Sequence, residues 1–148
     1  MPSIRAKDEI EIGVSPEVVF DVVSNYQGIT EWLPAYTCEY LNGTKVAEGL
    51  QVYHQYGSPP FVMSRFTRQI DKIVPGSRLE ERYIDGDLSG KGIWRFEKSP
   101  SGTIASYECD VASQLWLGHI AFTVLGKHAH SSVYKSILKK LKAHCEAL

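Results

Sequence analysis

Ser15 to Pro34, S-P-E-V-V-F-D-V-V-S-N-Y-Q-G-I-T-E-W-L-P, is the stretch whose reading decides the fold. Ser15 can cap a helix with its side-chain oxygen, and Pro16 suits the first helical position, where no backbone donor is needed. Glu17 then lies where the helix dipole favours negative charge. Val19, Val22, Val23 and Tyr26 follow at helical spacing. Asn25 and Gly28 interrupt the run, and Ile29, Trp32 and Leu33 form a second short apolar face that Pro34 ends. Upstream, Arg5 to Gly13 alternates as a strand through Ile10 and Ile12.

Downstream the period changes to that of strands. Thr37 to Leu41 and Val46 to Tyr56 flank Asn42-Gly43, which reads as a tight hairpin turn. Arg65 to Val74 ends at Pro75-Gly76, and Arg78 to Ile84 ends at Asp85-Gly86-Asp87. Leu88 to Lys98 and Thr103 to Val111 pair across Ser99-Pro100-Ser101-Gly102. Short turns between consecutive strands imply an antiparallel meander. The last segment returns to helical spacing through Val133, Ile137, Leu138, Leu141 and Cys145, with Lys135, Lys139, Lys140 and Lys142 on the other face. Leu115 to Leu125 is apolar nearly all round and reads as a loop leading into that helix.

One strand, two short helices, a run of strands and a closing helix resemble the START-like, or SRPBCC, superfamily. Within it, the chain is similar to the polyketide cyclase/dehydrase and lipid-transport group. The residues that carry the likeness are Ser15, Pro16, Val19, Ser24, Tyr26, Trp32 and Pro34, in a pattern of the type S-P-x-x-V-x-x-x-x-S-x-Y-x-x-x-x-x-W-x-P. Gly92 to Glu97 and Gly102 to Tyr107 look like that family's penultimate and last strands, and Leu125 to Leu148 like its closing helix. The resemblance implies an α+β helix-grip fold: a curved antiparallel sheet wrapped around a long C-terminal helix, with two short helices after the first strand. A sheet covered by a single long helix leaves space between the two layers, and ligand cavities of this type run roughly 300–1,000 Å³.

Bulk properties narrow the function. The 148 residues fit one domain, 1–148, and the formal net charge is −1. There is no electrostatic case for nucleic acid or an acidic membrane. No apolar run is long enough to make an integral membrane protein. The first residues lack an apolar signal core, so a cytoplasmic location is expected. Cys38, Cys109 and Cys145 are scattered, as expected of free thiols.

Strand alternation assigns faces. Val52, His54 and Tyr56 share one, as do Phe66, Arg68 and Ile70; Leu79, Glu81 and Tyr83; Gly92, Trp94 and Phe96; and Thr103, Ala105, Tyr107 and Cys109. The apolar members turn these faces inward, so His54, Arg68, Glu81 and Tyr107 stand out as polar. A buried charge needs a partner, and Arg68 and Glu81 on neighbouring strands predict an internal ion pair. The alternative is that twist or a bulge carries these side chains to solvent. The expected ligand-binding set is Trp32, His54, Tyr56, Phe66, Arg68, Glu81, Tyr83, Trp94, Tyr107, Trp116 and Phe122, and Gly57 to Phe61 is expected as a rim loop. Large rings with a few hydroxyls suit a flat, mostly apolar ligand.

Other chemistries lack their spacing. His128 and His130 point to different helix faces, and His54 and His144 have no ligand partners at metal spacing, so no metal and no cofactor is expected. Asp85 to Gly90 imitates half of a calcium loop, but the twelfth position is Phe96. Gly86, Gly90 and Gly92 form no phosphate loop, and there is no nucleophile elbow. The leading expectation is binding or transport of a hydrophobic small molecule, such as a lipid, quinone or polyketide. The alternatives are a polyketide aromatase/cyclase or dehydrase using the same cavity, and a protein-interaction or chaperone-activating module.

Overall fold

A computed structural model describes residues 4–57, 64–113 and 126–148, with side chains over 5–57, 64–112 and 133–148. β1 (Ile4–Ile12) leads into α1 (Pro16–Ser24) and a 3-10 helix (Tyr26–Glu31). Six strands follow: β2 (Tyr36–Tyr40), β3 (Gln51–Tyr56), β4 (Ser64–Val74), β5 (Arg78–Gly86), β6 (Leu88–Ser99) and β7 (Gly102–Ser113). α2 (Gly126–Glu146) closes the chain. The strands form one antiparallel seven-stranded sheet in the order β1-β7-β6-β5-β4-β3-β2. Among the described residues, no helix is long and apolar enough to cross a membrane.

This is the expected curved sheet with its C-terminal helix. The inward faces are those that alternation assigns: Val52, Phe66, Ile70, Leu79, Trp94, Phe96, Ala105 and Tyr107 are all buried. α1 turns Val19, Phe20 and Val23 onto the core, and the Phe20 ring meets Phe96 edge-on at 5.8 Å. α2 buries Leu138, Leu141 and Cys145. Its C-terminal end is tied to β1: the Glu146 carboxylate accepts from the Gly13 amide at 2.7 Å, and Lys142 Nζ donates to the Glu11 carbonyl at 2.9 Å.

Three local expectations change. Ser15 makes no side-chain cap; α1 starts instead on Pro16, with the Ser15 carbonyl accepting from Val19. Asn42-Gly43 is not a tight turn. β2 ends at Tyr40 and β3 begins at Gln51, and the Asn42 side chain spans the connection by accepting from the Gln51 amide at 2.7 Å and donating to the Gly49 carbonyl at 3.1 Å. The left-handed conformation sits at Gly49, φ 90°, which is where the chain needs a residue without Cβ. Val133, counted with the apolar stripe of α2, is half-exposed. The Leu115 to Leu125 loop and Ser58 to Phe61 lie outside the described residues, as do Trp116 and Phe122.

Candidate functional site

β4 and β5 do not run in simple register. Shifts fall between Thr67 and Arg68 and between Ile70 and Lys72. Arg68 therefore stands opposite Tyr83 and Glu81 opposite Ile70, so the two charged side chains meet diagonally across the inner face. Arg68 Nη1 donates to Glu81 Oε1 at 3.0 Å, with both residues buried. The internal ion pair forms, and its side chains stay buried.

The pair is the centre of a larger polar cluster. The Tyr26 hydroxyl donates to the other Glu81 oxygen. Arg68 Nε donates to His54 Nε2 at 3.2 Å. Since Nε2 accepts, the His54 proton is on Nδ1, and Nδ1–H points to Cys38 Sγ at 3.0 Å. Three rings pack around the guanidinium, with Phe66 at 5.6 Å and Tyr26 and Tyr83 each at 5.8 Å from its carbon. Burial works against the charge on Arg68, but Glu81 and the nearby phenols outweigh it and raise its pKa further. Burial, then the Arg68 charge, holds His54 well below the usual imidazole range, which keeps it neutral. Burial pushes the Cys38 thiol up to about 12, so it is protonated and no nucleophile at neutral pH.

A second polar group lies between sheet and helix. The Tyr83 and Tyr107 hydroxyls are 3.0 Å apart, the Tyr134 hydroxyl of α2 is 3.5 Å from Tyr83, and the Tyr107 and Tyr134 rings stack at 4.3 Å. Gly92 makes room for this arrangement, since a Cβ there would fall on the Tyr107 phenol. Burial raises Tyr26, Tyr107 and Tyr134 well above the usual phenol range, so all three are neutral donors.

Arg68 and Glu81 face a cavity of about 40 Å³, walled by Tyr26, Trp32, Phe66, Trp94 and Tyr134, with Val23, Ile29, Leu33, Tyr36 and Ile137 also lining it. Among the described residues, that volume is on the scale of a few water molecules. Large rings pack beside it: Trp94 stacks on Phe96 at 6.0 Å and leans on Tyr107 at 5.0 Å. Outside the cavity, an open groove of about 270 Å³ runs between the β2–β3 edge and α2, lined by Leu33, Ala35, Tyr36, Tyr56, Val133, Ser136, Ile137 and Lys140. Leu33, Tyr36 and Ile137 line both spaces. Trp32 is buried, and its indole N–H has no hydrogen-bond partner among the described residues. Such an orphaned donor costs about 1–3 kcal/mol.

Of the residues singled out from sequence, Trp32, Phe66, Arg68, Glu81 and Trp94 line the cavity, and His54 joins its polar cluster. Tyr83 and Tyr107 form the hydroxyl group behind it, and Tyr56 lies in the outer groove, its ring 4.8 Å from Tyr36. Sequence reading missed Cys38, Tyr36 and Ile137 as members of the site. The signal for Cys38 is its pairing directly across from His54. Among the described residues, no group of three or more His, Cys, Asp or Glu is arranged to hold a metal.

The sequence profile of the family described as "Polyketide cyclase / dehydrase and lipid transport" matches residues 3–146. No curated protein matches the sequence. Among solved structures, a protein from Thermus thermophilus superimposes with a TM-score of 0.77 at 17% identity, covering 99% of this chain and 98% of that one. The Zhui aromatase/cyclase from Streptomyces sp. R1128 gives 0.76 at 13%, covering 98% and 94%. The ginseng major latex-like protein 151 from Panax ginseng gives 0.75 at 12%, covering 96% and 97%. At these identities the likeness is one of fold.

Proposed function

The chain belongs to the polyketide cyclase/dehydrase and lipid-transport family, and on that premise we propose that it holds a hydrophobic small molecule between sheet and helix, admitted through the groove beside α2. The observation that carries this reading is the shared wall. Leu33, Tyr36 and Ile137 separate an inner cavity containing a buried ion pair from a larger open groove. Rotation of these side chains merges the two spaces. The ligand's ring or chain then occupies the groove and the apolar part of the cavity, against Trp32, Phe66 and Trp94. Its polar end meets the Arg68–Glu81 cluster. Apolar walls with a few fixed polar groups suit orientation of such a ligand.

The test is titration of the protein with 2-acetonaphthone and long-chain ketones by calorimetry, alongside Ile137→Trp and Ile137→Ala. Saturable binding that Ile137→Trp abolishes and Ile137→Ala preserves with faster association supports the reading. No saturable binding by the wild type, or binding indifferent to Ile137→Trp, contradicts it. Recovery of a chemically altered ligand would move the assignment from carrier to cyclase or dehydrase.

A further inference from the structure

The formal net charge of −1 hides a division. α2 carries five lysines against a single acid, Glu146, a net of +4, which leaves −5 on residues 1–125. Lys142 and Glu146 bond to each other and to the end of β1. Lys135, Lys139 and Lys140 are exposed, and none has an ion-pair or hydrogen-bond partner among the described residues. Leu138, Leu141 and Cys145 fix the buried side of α2, so the 3.6-residue period turns Ser136, Lys139 and Ala143 outward. Lys140 and the half-exposed Val133 stand at the edge of that face, where both line the outer groove.

Resting on the ligand-holding role proposed above, we propose that this face of α2 docks on a bilayer of anionic phospholipid. Docking sets the mouth of the groove against the lipid, from which the ligand passes. Two observations favour a bilayer over other acidic partners. The outward face holds no aromatic residue and no arginine among its described residues, so a protein partner would find no anchor there. A bilayer needs only charge near its surface. Val133 beside the groove gains apolar contact from lipid and none from the phosphates of a nucleic acid. The acidic remainder of the molecule orients the contact. Charge is screened over about 8 Å at physiological salt, whereas α2 is about 30 Å long. Only the facing lysines are therefore felt, and other orientations present acid to the lipid.

Co-sedimentation of the ligand-free protein with vesicles tests this. Vesicles of equal parts phosphatidylglycerol and phosphatidylcholine are compared with phosphatidylcholine alone. Three lysines at about fivefold each give an expected preference of about a hundredfold for the anionic vesicles, lost in high salt. Lys135→Glu with Lys139→Glu should weaken that binding by at least about thirtyfold. Neither residue lines the groove, so titration with 2-acetonaphthone in solution should be unchanged. Lys7→Glu with Lys91→Glu makes the same change of charge on exposed positions of the outer sheet face and should leave vesicle binding within about twofold. Equal binding to both vesicles, or an equal loss in both double variants, would overturn the proposal. So would salt-sensitive self-association or binding to duplex DNA, lost with Lys135 and Lys139, in protein that ignores the vesicles. The ligand-holding role survives any of these results if 2-acetonaphthone still binds. Anionic vesicle binding without ketone binding would remove that role and leave the docking face.

Discussion

The β4–β5 ladder carries an ion pair on each face. Inside, Arg68 meets Glu81 at 3.0 Å; outside, Arg82 meets Asp71 at 3.1 Å. The geometry is nearly the same and the surroundings are opposite. The inner side chains are at most 10% exposed, whereas Arg82 and Asp71 are 54% and 38% exposed. Water stabilises the outer charges whether or not they touch, so their contact adds little. Among the described residues, the inner charges have each other, Tyr26 and His54 as hydrogen-bond partners. The contrast shows that the distance between two charges says little about their worth, and that the register shifts of β4 and β5 aim one pair inward to a site.

Removing one inner partner should have the largest effect. Glu81→Ala leaves Arg68 charged and buried, and is expected to destabilise the fold by about 3–5 kcal/mol in urea unfolding. The double replacement Arg68→Met with Glu81→Leu should recover most of that loss, because no unpaired charge remains. If Glu81→Ala alone costs no more than an exposed carboxylate, the inner pair is solvated and the contrast collapses.

Gly92→Ala comes next. Its Cβ would collide with the Tyr107 phenol across the β6–β7 ladder. Overpacking of this kind typically costs about 1–3 kcal/mol. A Tyr107→Phe background should relieve part of the cost, as the double-mutant cycle would read.

His54 sharpens the contrast through pH. Its folded pKa lies below the ordinary value of 6.5, because burial and Arg68 both oppose the proton. The unfolded chain therefore binds that proton more readily. The contribution of His54 to stability is complete above about pH 6.5 and falls as pH drops below it, by about 1.4 kcal/mol per unit. Comparing urea unfolding at pH 7.5 and 5.5, His54→Gln should lose about 1.4 kcal/mol less than the wild type over this interval. Equal losses would mean that His54 takes up its proton in the folded state as easily as in the unfolded one.

The smallest effect belongs to the outer pair. Arg82→Ala should change stability by less than about 0.5 kcal/mol, and less still in high salt. A loss approaching that of Glu81→Ala would show that exposure does not govern the difference between the faces.

Much of this was legible in the sequence, for physical reasons that differ along the chain. β4 to β7 are joined by short turns rich in Gly, Pro and Asp, and one face of each strand is apolar. Boundaries and the inward faces of the apolar residues followed from alternation; for Arg68 and Glu81 alternation left the solvent-facing reading open, and the register shifts of β4 and β5 decide it. The β2–β3 connection was not legible. Asn42-Gly43 has the composition of a two-residue turn, but Gly49 bears the positive φ and the strands resume at Gln51. A tight turn at Asn42-Gly43 would set Cys38 against Ala47 and hide its pairing with His54. The groove escaped because it joins β2, β3 and α2, and no local pattern reports contacts at that separation.

The most direct test of a ligand held at the inner face is the set of intermolecular nuclear Overhauser effects between 2-acetonaphthone and isotope-labelled protein. The account predicts cross-peaks from the naphthyl protons to Ile137 and Trp94, with the acetyl methyl near Trp32. Cross-peaks confined to exposed side chains such as Leu41, Ile84 and Leu148, with none to Ile137, Trp94 or Trp32, would contradict it.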